Sequence, residues 1–203
     1  MFLPQHLELH FYKGLSLYML GDKKESIDIY LDGLEKRDAE TDPNVVAAVF
    51  TTVGDTYHEL EMKKEAYAAY DSALVYDPYK LDVLNNYSYF LSLENKELQK
   101  ALDMSHKTIT AEPENQTYLD TYAWILFKLK RYEEAKAYAE KIISLNEEIS
   151  PVVLHHIGDI FAKCGNIGKA VTYWQKALDA GDEESDILKK KIKKRKYYNG
   201  SKH

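Results

Sequence analysis

Near the end of the chain, a few histidine and aspartate side chains could bind a metal ion or transfer a proton. His155 and Asp159 are four positions apart, so a helix would place them one turn apart on the same face. Two ligands do not complete a metal site, and the nearest comparable pair, Asp55 and His58, lies far earlier in the chain. No nucleophile, glycine-rich phosphate loop, His-Glu-x-x-His or Cys-x-x-Cys motif accompanies them. The sequence therefore predicts no catalytic residue, metal ligand or cofactor. A metal-dependent sensor or enzyme built on His58, His155 and Asp159 is the least favoured alternative.

A basic run from Lys189 to Lys196 is the second feature that could bind something. Residues 189–203 hold eight Lys or Arg and no acid, which leaves 19 basic and 33 acidic residues in 1–188. Because this acidic body, with a net charge of about −14, would repel a nucleic-acid backbone, we predict no nucleic-acid partner. The run could still contact an anionic membrane, but a solvated helix face attracted to the acidic body is the favoured interpretation.

Composition indicates a folded, all-helical protein. Of the 203 residues, 45% are hydrophobic and 30% charged, and the nine Gly and five Pro are few enough to favour helices. The longest apolar run, Val45 to Phe50, is too short for a membrane helix of about 20 residues, so we predict no stable membrane insertion. No signal peptide is visible, which favours the cytoplasm, whereas a fragment of a longer precursor could be exported. The localisation therefore stays open.

Small residues recur at a nearly constant spacing along the chain. The first set is separated by 40, 34, 35 and 35 residues and comprises Gly14, Gly54, Ser88, Ala123 and Gly158. Another small residue follows each of them after twelve or thirteen positions: Ser26, Ala66, Ala101, Ala135 and Ala170. Where two antiparallel helices cross, small residues let the backbones approach while large neighbours fill the flanks. Each unit therefore predicts a helix, a tight turn and a second helix.

These positions resemble the tetratricopeptide repeat. The similarity is clearest around Gly54, Tyr57, Ala66, Tyr70 and Pro78, and residues 151–184 match almost as well. The resemblance implies an all-α, right-handed α-α superhelix of five helix-turn-helix repeats and is typical of bacterial members. Its predicted repeats span about 7–40, 47–80, 81–115, 116–149 and 151–184, followed by a capping helix over 184–198, all in one domain over 1–203. Six extra residues around 41–46 should lengthen a helix or a loop.

The resemblance also implies where a ligand would bind. In this family the first helix of each repeat lines a curved groove, and helical spacing selects the residues that face it. The candidate partner-binding residues are Tyr18, Thr51, Asp55, His58, Asn85, Tyr89, Asp120, Trp124, Phe127, His155 and Asp159. Aromatic and acidic side chains favour a protein or peptide with apolar anchors and basic groups. We therefore predict an interaction scaffold rather than an enzyme.

The N-terminal repeat suggests an alternative role in assembly. It carries Phe2, Leu3, Leu7, Phe11, Leu15 and Tyr18 with no preceding helix to cover them. Repeat arrays normally end in units with a polar outer face. The chain could therefore form homo-oligomers through this end, or be part of a longer array.

Overall fold

The structure, a computed structural model, describes residues 6–145 and 148–198, so Phe2 and Leu3 lie outside the described residues. Within these ranges the chain forms eleven α-helices and no strand. The helices are α1 His6–Leu20, α2 Lys23–Lys36, α3 Pro43–Glu59, α4 Lys63–Tyr76, α5 Leu81–Leu93, α6 Leu98–Ala111, α7 Gln116–Lys128, α8 Tyr132–Ser144, α9 Pro151–Lys163, α10 Ile167–Asp179 and α11 Ser185–Lys194. Among the described helices, none is long and apolar enough to cross a membrane.

Successive helices pack as antiparallel hairpins. Helix α1 packs on α2, α3 on α4, α7 on α8, and α9 on α10, while α11 packs on α10. Side-chain caps help to define several starts: Asn115 Oδ1 accepts a hydrogen bond from the Thr117 amide at 3.0 Å, and Asn166 Oδ1 from the Lys169 amide at 3.1 Å. Such caps satisfy amides that have no partner within the first turn. These four pairs are among the five expected from the repeat pattern.

The small residues mark the places where paired helices meet. A Cβ atom placed on Gly54 would lie 2.5 Å from Cε1 of Tyr70, which is fully buried. Gly158 meets the buried ring of Trp174 in the same way. A contact this close leaves no room for a methyl group, so the aromatic ring of the second helix occupies the space that glycine leaves.

The extra residues of the second repeat lengthen a helix. Helix α3 has 17 residues, whereas α7 and α9 have 13 each. Its start is fixed by Asp42, whose carboxylate accepts a hydrogen bond from the Asn44 amide at 2.8 Å, and by Pro43 in the first turn. The insertion therefore adds about one turn to the N-terminal end of α3.

The chain divides into two compact units, which we call unit 1 (residues 1–87) and unit 2 (residues 88–203). The core of unit 1 includes Leu7, Tyr30, Val46 and Val53, each at most 1% exposed. In unit 2, Leu126, Ile157 and Trp174 are buried to the same extent. Their apolar burial is the main source of stability in each unit.

Each hairpin turn has a residue in the left-handed region of backbone conformation at the same position of the repeat. These residues are Gly21, Glu61, Asn95, Lys130 and Gly165, with φ between 54° and 92°. They follow the same spacing as the small residues of the first helices. The turn thus requires a positive φ at a fixed position, although only two of the five residues are glycine.

Lys130→Gly is expected to raise the free energy of unfolding by about 1 kcal/mol, because glycine adopts the φ of 62° without steric cost. The matched change Gly165→Ala should lower it by a similar amount, about 1 kcal/mol. At Gly165 φ is 78°, and no heavy atom of the described chain lies within 4 Å of an added Cβ, so the cost is purely conformational. Urea unfolding of both variants measures the effect, and changes of the same sign would contradict this account.

Candidate functional site

The predicted partner-binding residues of unit 1 lie on the first helices α1, α3 and α5. In each unit the predicted residues form an exposed or partly buried face. We call this face the first-helix surface of that unit. In unit 1, Tyr18, Asp55 and His58 are partly exposed, whereas Thr51 and Asn85 are 6% exposed. The buried pair therefore supports the helices more than it contacts solvent.

A polar cluster surrounds Tyr18. Its hydroxyl donates to Glu59 Oε1 at 2.7 Å, and Lys23 Nζ lies 3.0 Å from Glu59 Oε2. The same ammonium lies 5.7 Å from the centre of the Tyr18 ring. Glu59 thus orients an aromatic ring and adds negative charge beside the predicted residues, a contribution that the sequence analysis did not identify.

Asp55 is held by two neighbours within unit 1. The Tyr70 hydroxyl donates to Asp55 Oδ1 at 2.6 Å, and the Asn86 amide group donates to the same oxygen at 3.3 Å. Burial nevertheless raises the pKa of Asp55 above its usual value, and the nearby Asp82 and Glu59 add to this effect. Burial of the ionised Asp55 carboxylate therefore lowers the free energy of unfolding.

Asp55→Asn is expected to raise the free energy of unfolding at pH 7 by about 0.5–1 kcal/mol. The amide oxygen can still accept the hydrogen bond from Tyr70, while the buried negative charge is removed. Because the folded-state pKa lies above the ordinary value of aspartate, this gain should shrink as the pH falls from 7 towards that ordinary value, near 4. Urea unfolding of Asp55→Asn and the wild type at pH 7 and at about pH 4 tests this expectation. A lower stability of the variant at pH 7 would contradict it.

In unit 2 the predicted aromatic residues form a stack. The Trp124 ring lies parallel to that of Phe127 with centroids 4.8 Å apart, and the His156 ring also stacks on it at 3.9 Å. His156 Nδ1 lies 2.9 Å from Asp120 Oδ2, which fixes the imidazole ring. Asp120, Trp124 and Phe127 are each at least 92% buried. The stack is therefore part of the packed interior in this structure.

Tyr89 lies beside this stack. Its ring centre is 6.3 Å from that of His156, and the side chain is partly exposed. Burial, with a contribution from the charge of Asp120, raises the pKa of Tyr89 to about 12. Tyr89 is thus the predicted residue of unit 2 with the most accessible ring, and its hydroxyl stays protonated at neutral pH.

His155 and Asp159 bind a lysine from the end of the chain. Lys191 Nζ lies 2.7 Å from both carboxylate oxygens of Asp159 and 2.7 Å from His155 Nε2. On its other side, His155 Nδ1 lies 3.4 Å from Asp182 Oδ2. The Trp174 indole also donates to Asp159 Oδ1, at 2.9 Å. An ammonium group therefore occupies the position between His155 and Asp159 that the metal hypothesis assigned to an ion.

Tyr197 extends this contact beyond α11. Its ring centre lies 5.7 Å from that of Phe127, 4.2 Å from Lys163 Nζ and 5.2 Å from Lys191 Nζ. Burial raises the pKa of Tyr197 well above its usual value. Residues 185–198, which we call the C-terminal segment, thus cover part of the first-helix surface of unit 2.

Sequence reasoning did not identify Lys191, Asp182 or Tyr197 as members of this site. Lys191 lies in the basic run from Lys189 to Lys196. All the remaining Lys and Arg residues of this run are exposed, and Ile192 within it is partly buried. One signal was available: Lys191 falls three positions after Leu188, the apolar residue with the deepest burial in α11. Of the exposed cations of α11, Lys189 lies 3.6 Å from Asp186 of the same helix.

Comparison with known proteins agrees with the architecture. Residues 117–149 match the family model described as tetratricopeptide repeat. The fold of the chain is the tetratricopeptide-repeat fold, which is generally a protein-interaction fold without catalytic activity. No curated protein matches the sequence at a significant level.

Three of the solved structures that share this fold illustrate the likeness. PilF of Pseudomonas aeruginosa is 24% identical over 93% of this chain and 83% of its own, with a TM-score of 0.71. PilW, described as a widely conserved type IV pilus biogenesis factor, is 16% identical over 95% of this chain and 87% of its own, with a TM-score of 0.77. YrrB, described as having an unusual peptide-binding site, is 17% identical over 90% of each chain, with a TM-score of 0.67. At these identities the likeness concerns the fold.

Proposed function

We propose that the chain is a protein-interaction scaffold whose first-helix surfaces bind a segment of a partner protein. The observation that carries this proposal is intramolecular: two of the predicted residues, His155 and Asp159, already hold Lys191 of the C-terminal segment. A surface that binds one segment of polypeptide through an ammonium group has the chemistry to bind another. The peptide-binding site named for YrrB, which has the same fold, adds support.

The partner has basic and apolar groups. In unit 1, Asp55 and Glu59 provide negative charge, and the partly exposed ring of Tyr18 provides apolar contact area. Aromatic side chains supply large contact areas at low entropic cost, and carboxylates pair with Lys or Arg. In unit 2, the partly exposed Tyr89 would serve the same purpose. Release of the C-terminal segment would add His155, Asp159 and Phe127, which Lys191 and Tyr197 contact, whereas Asp120 and Trp124 stay packed against His156.

Partner capture with surface variants of unit 1 tests this proposal. Tyr18→Ala combined with His58→Ala changes two partly exposed residues, so the fold should persist. Val75→Ala is the matched control, because Val75 is 77% exposed and lies on a second helix, α4. We expect a specific partner to bind the wild-type chain and the control but to lose about tenfold or more in affinity for the double variant. Equal affinity for all three would contradict binding at this surface.

The exposed face of α1 favours self-association as a second candidate function. Leu9, Tyr12, Met19 and Leu20 are 60–79% exposed and share one side of the helix. Exposed apolar side chains grouped on one side of a helix commonly mark a protein contact. It lies in the N-terminal repeat that the sequence analysis associated with homo-oligomers.

Charge introduced on that face distinguishes the two candidates. If α1 mediates self-association, the molar mass of the wild-type chain should rise with concentration, and Tyr12→Glu with Met19→Glu should keep the chain monomeric. Light scattering over a range of concentrations measures this. A monomeric wild-type chain at all concentrations would exclude self-association and leave the scaffold proposal unaffected.

A further inference from the structure

The surroundings of Lys191 match the bonding capacity of an ammonium group. A lysine ammonium has three N–H donors, and Lys191 has three acceptors at 2.7 Å: the two oxygens of Asp159 and Nε2 of His155. The centres of the Trp174 and Tyr197 rings lie 5.8 and 5.2 Å from its nitrogen. Aromatic faces at this distance attract cations. The acceptors and the Trp174 ring belong to α9 and α10, whereas Tyr197 belongs to the same segment as Lys191. The site therefore has the acceptors and one ring that recognise a lysine side chain.

The neighbouring groups orient these acceptors. Because His155 Nε2 accepts from the ammonium, the ring proton resides on Nδ1, where Asp182 Oδ2 lies 3.4 Å away. The Trp174 indole donates to Asp159 Oδ1 and fixes that carboxylate. His155, Asp159, Asp182 and Lys191 are all at least 92% buried. The lysine is thus bound inside a preorganised polar pocket, which we call the lysine pocket.

The helix that supplies Lys191 is weakly suited to permanent attachment. Leu188 is its only apolar residue that is fully buried, while Ile187 and Ile192 are partly buried. Helix α11 has ten residues, and helices of this length are marginal without tertiary contacts. Its exposed lysines include the like-charged pairs Lys189–Lys193 and Lys190–Lys194, four positions apart, which repel each other.

A cap of purely structural purpose would bury an apolar side chain instead. Transfer of a lysine and an aspartate out of water carries a large desolvation cost, and apolar replacements are often at least as stable. A buried ion pair between α9 and α11 thus favours specific recognition, since it penalises any segment that lacks the lysine.

We propose that the lysine pocket of unit 2 is a recognition site for a lysine on a basic helical segment, and that residues 185–198 are its exchangeable resident ligand. A partner segment with the same chemistry replaces the resident one and releases α11. This inference rests on the proposed scaffold function, but it concerns unit 2 alone. Its failure would leave the partner-capture result on Tyr18 and His58 of unit 1 unaffected.

The test supplies the resident segment as a separate molecule to the full-length chain. A fluorescently labelled peptide of residues 185–198 is titrated against two variants, Lys191→Glu and Lys190→Glu, and binding is followed by anisotropy. Lys191→Glu removes the resident lysine from the pocket, whereas Lys190 is exposed and serves as the matched control. We expect the peptide to bind the Lys191→Glu chain about tenfold more tightly, because competition by the resident segment is reduced.

Peptide variants establish that the lysine is what is recognised. Replacing the lysine of position 191 by glutamine in the peptide should weaken binding to the Lys191→Glu chain by about tenfold or more, while the same change at position 190 should alter it by about twofold at most. Equal binding of the two peptide variants would overturn the assignment of a lysine pocket.

Hydrogen exchange of the unmodified chain provides a readout that does not depend on the folding of any variant. If the segment is exchangeable, amides of α11 should exchange at least about tenfold faster than those of α10, since local release precedes global unfolding. Protection of α11 equal to that of α10, or peptide affinities that do not differ between the two chain variants, would show that α11 is a permanent part of unit 2 and would overturn the proposal.

Discussion

Replacement of Gly158 by leucine is expected to lower the free energy of unfolding of unit 2 by about 3 kcal/mol. Even a methyl group at this position would overlap the ring of Trp174, which is fully buried in α10. The ring cannot move without displacing the packing between α9 and α10 or its hydrogen bond to Asp159. The loss therefore combines overpacking with damage to the lysine pocket.

The matched control is Gly168→Leu in the second helix of the same hairpin. Gly168 is exposed, and the nearest atom to an added Cβ is Asn166 Oδ1 at 3.9 Å. Its replacement should leave the stability unchanged within about 0.5 kcal/mol or raise it, because leucine is a better helix former. Urea unfolding followed by circular dichroism compares the two. Similar effects of both changes would show that Gly158 is not a close-packing position.

Lys191→Met is expected to lower the free energy of unfolding by about 3 kcal/mol. Methionine retains much of the aliphatic volume of lysine, so the loss reports on the missing ammonium rather than on a cavity. Asp159 would then be buried without its cation. The expected loss is at the lower end of the range for a broken buried ion pair, because release of α11 allows water to reach the carboxylate.

The effect of Lys191→Met should depend on pH through His155. Burial lowers the pKa of His155 below its usual value; Lys191 and His156 also lower it, while Asp159 and Asp182 oppose this. Glu184 also lies near the ring, at 3.9 Å. Since the unfolded chain then binds the proton more readily, the wild-type contribution of His155 is present above pH 6.5 and is lost as the pH falls below it.

Without Lys191, a protonated His155 would stand between Asp159 and Asp182 and replace part of the missing positive charge. The difference in stability between Lys191→Met and the wild type should therefore be smaller at about pH 5.5 than at about pH 7.5. The exposed replacement Lys190→Met should show no such pH dependence. A larger difference at the lower pH would contradict the proposed charge arrangement.

The repeat architecture follows from sequence spacing because its physical cause is local. The small residues and the turns recur every 34 or 35 residues after the first interval, and each governs contacts within one hairpin. Gly54 and Gly158 illustrate this, since each accommodates an aromatic ring that lies sixteen residues later. The extension of α3 could be located from the longer first interval, but whether it lengthened a helix or a loop depended on the cap at Asp42.

The contents of the site were less accessible to sequence reasoning. Helical spacing identified His155 and Asp159 as members of one face, and the structure places both in the lysine pocket. Helical spacing alone could not show which lysine of the basic run is buried. The rotation of α11 against α9 and α10 determines that Lys191 faces the pocket. Burial of Trp124 and Phe127 was equally inaccessible, since it depends on His156 and on Tyr197 from the end of the chain.

Asp159 and Lys191 form the ion pair that joins the C-terminal segment to the rest of unit 2. A double-mutant cycle with Asp159→Asn and Lys191→Met measures the coupling between them most directly, by urea unfolding of the wild type, both single variants and the double variant. Asparagine retains an oxygen that can accept the hydrogen bond from Trp174. We expect the double variant to be more stable than the sum of the single losses predicts, with a coupling free energy of about 2–3 kcal/mol. Additive losses would show that the two residues stabilise the protein independently and would contradict the account.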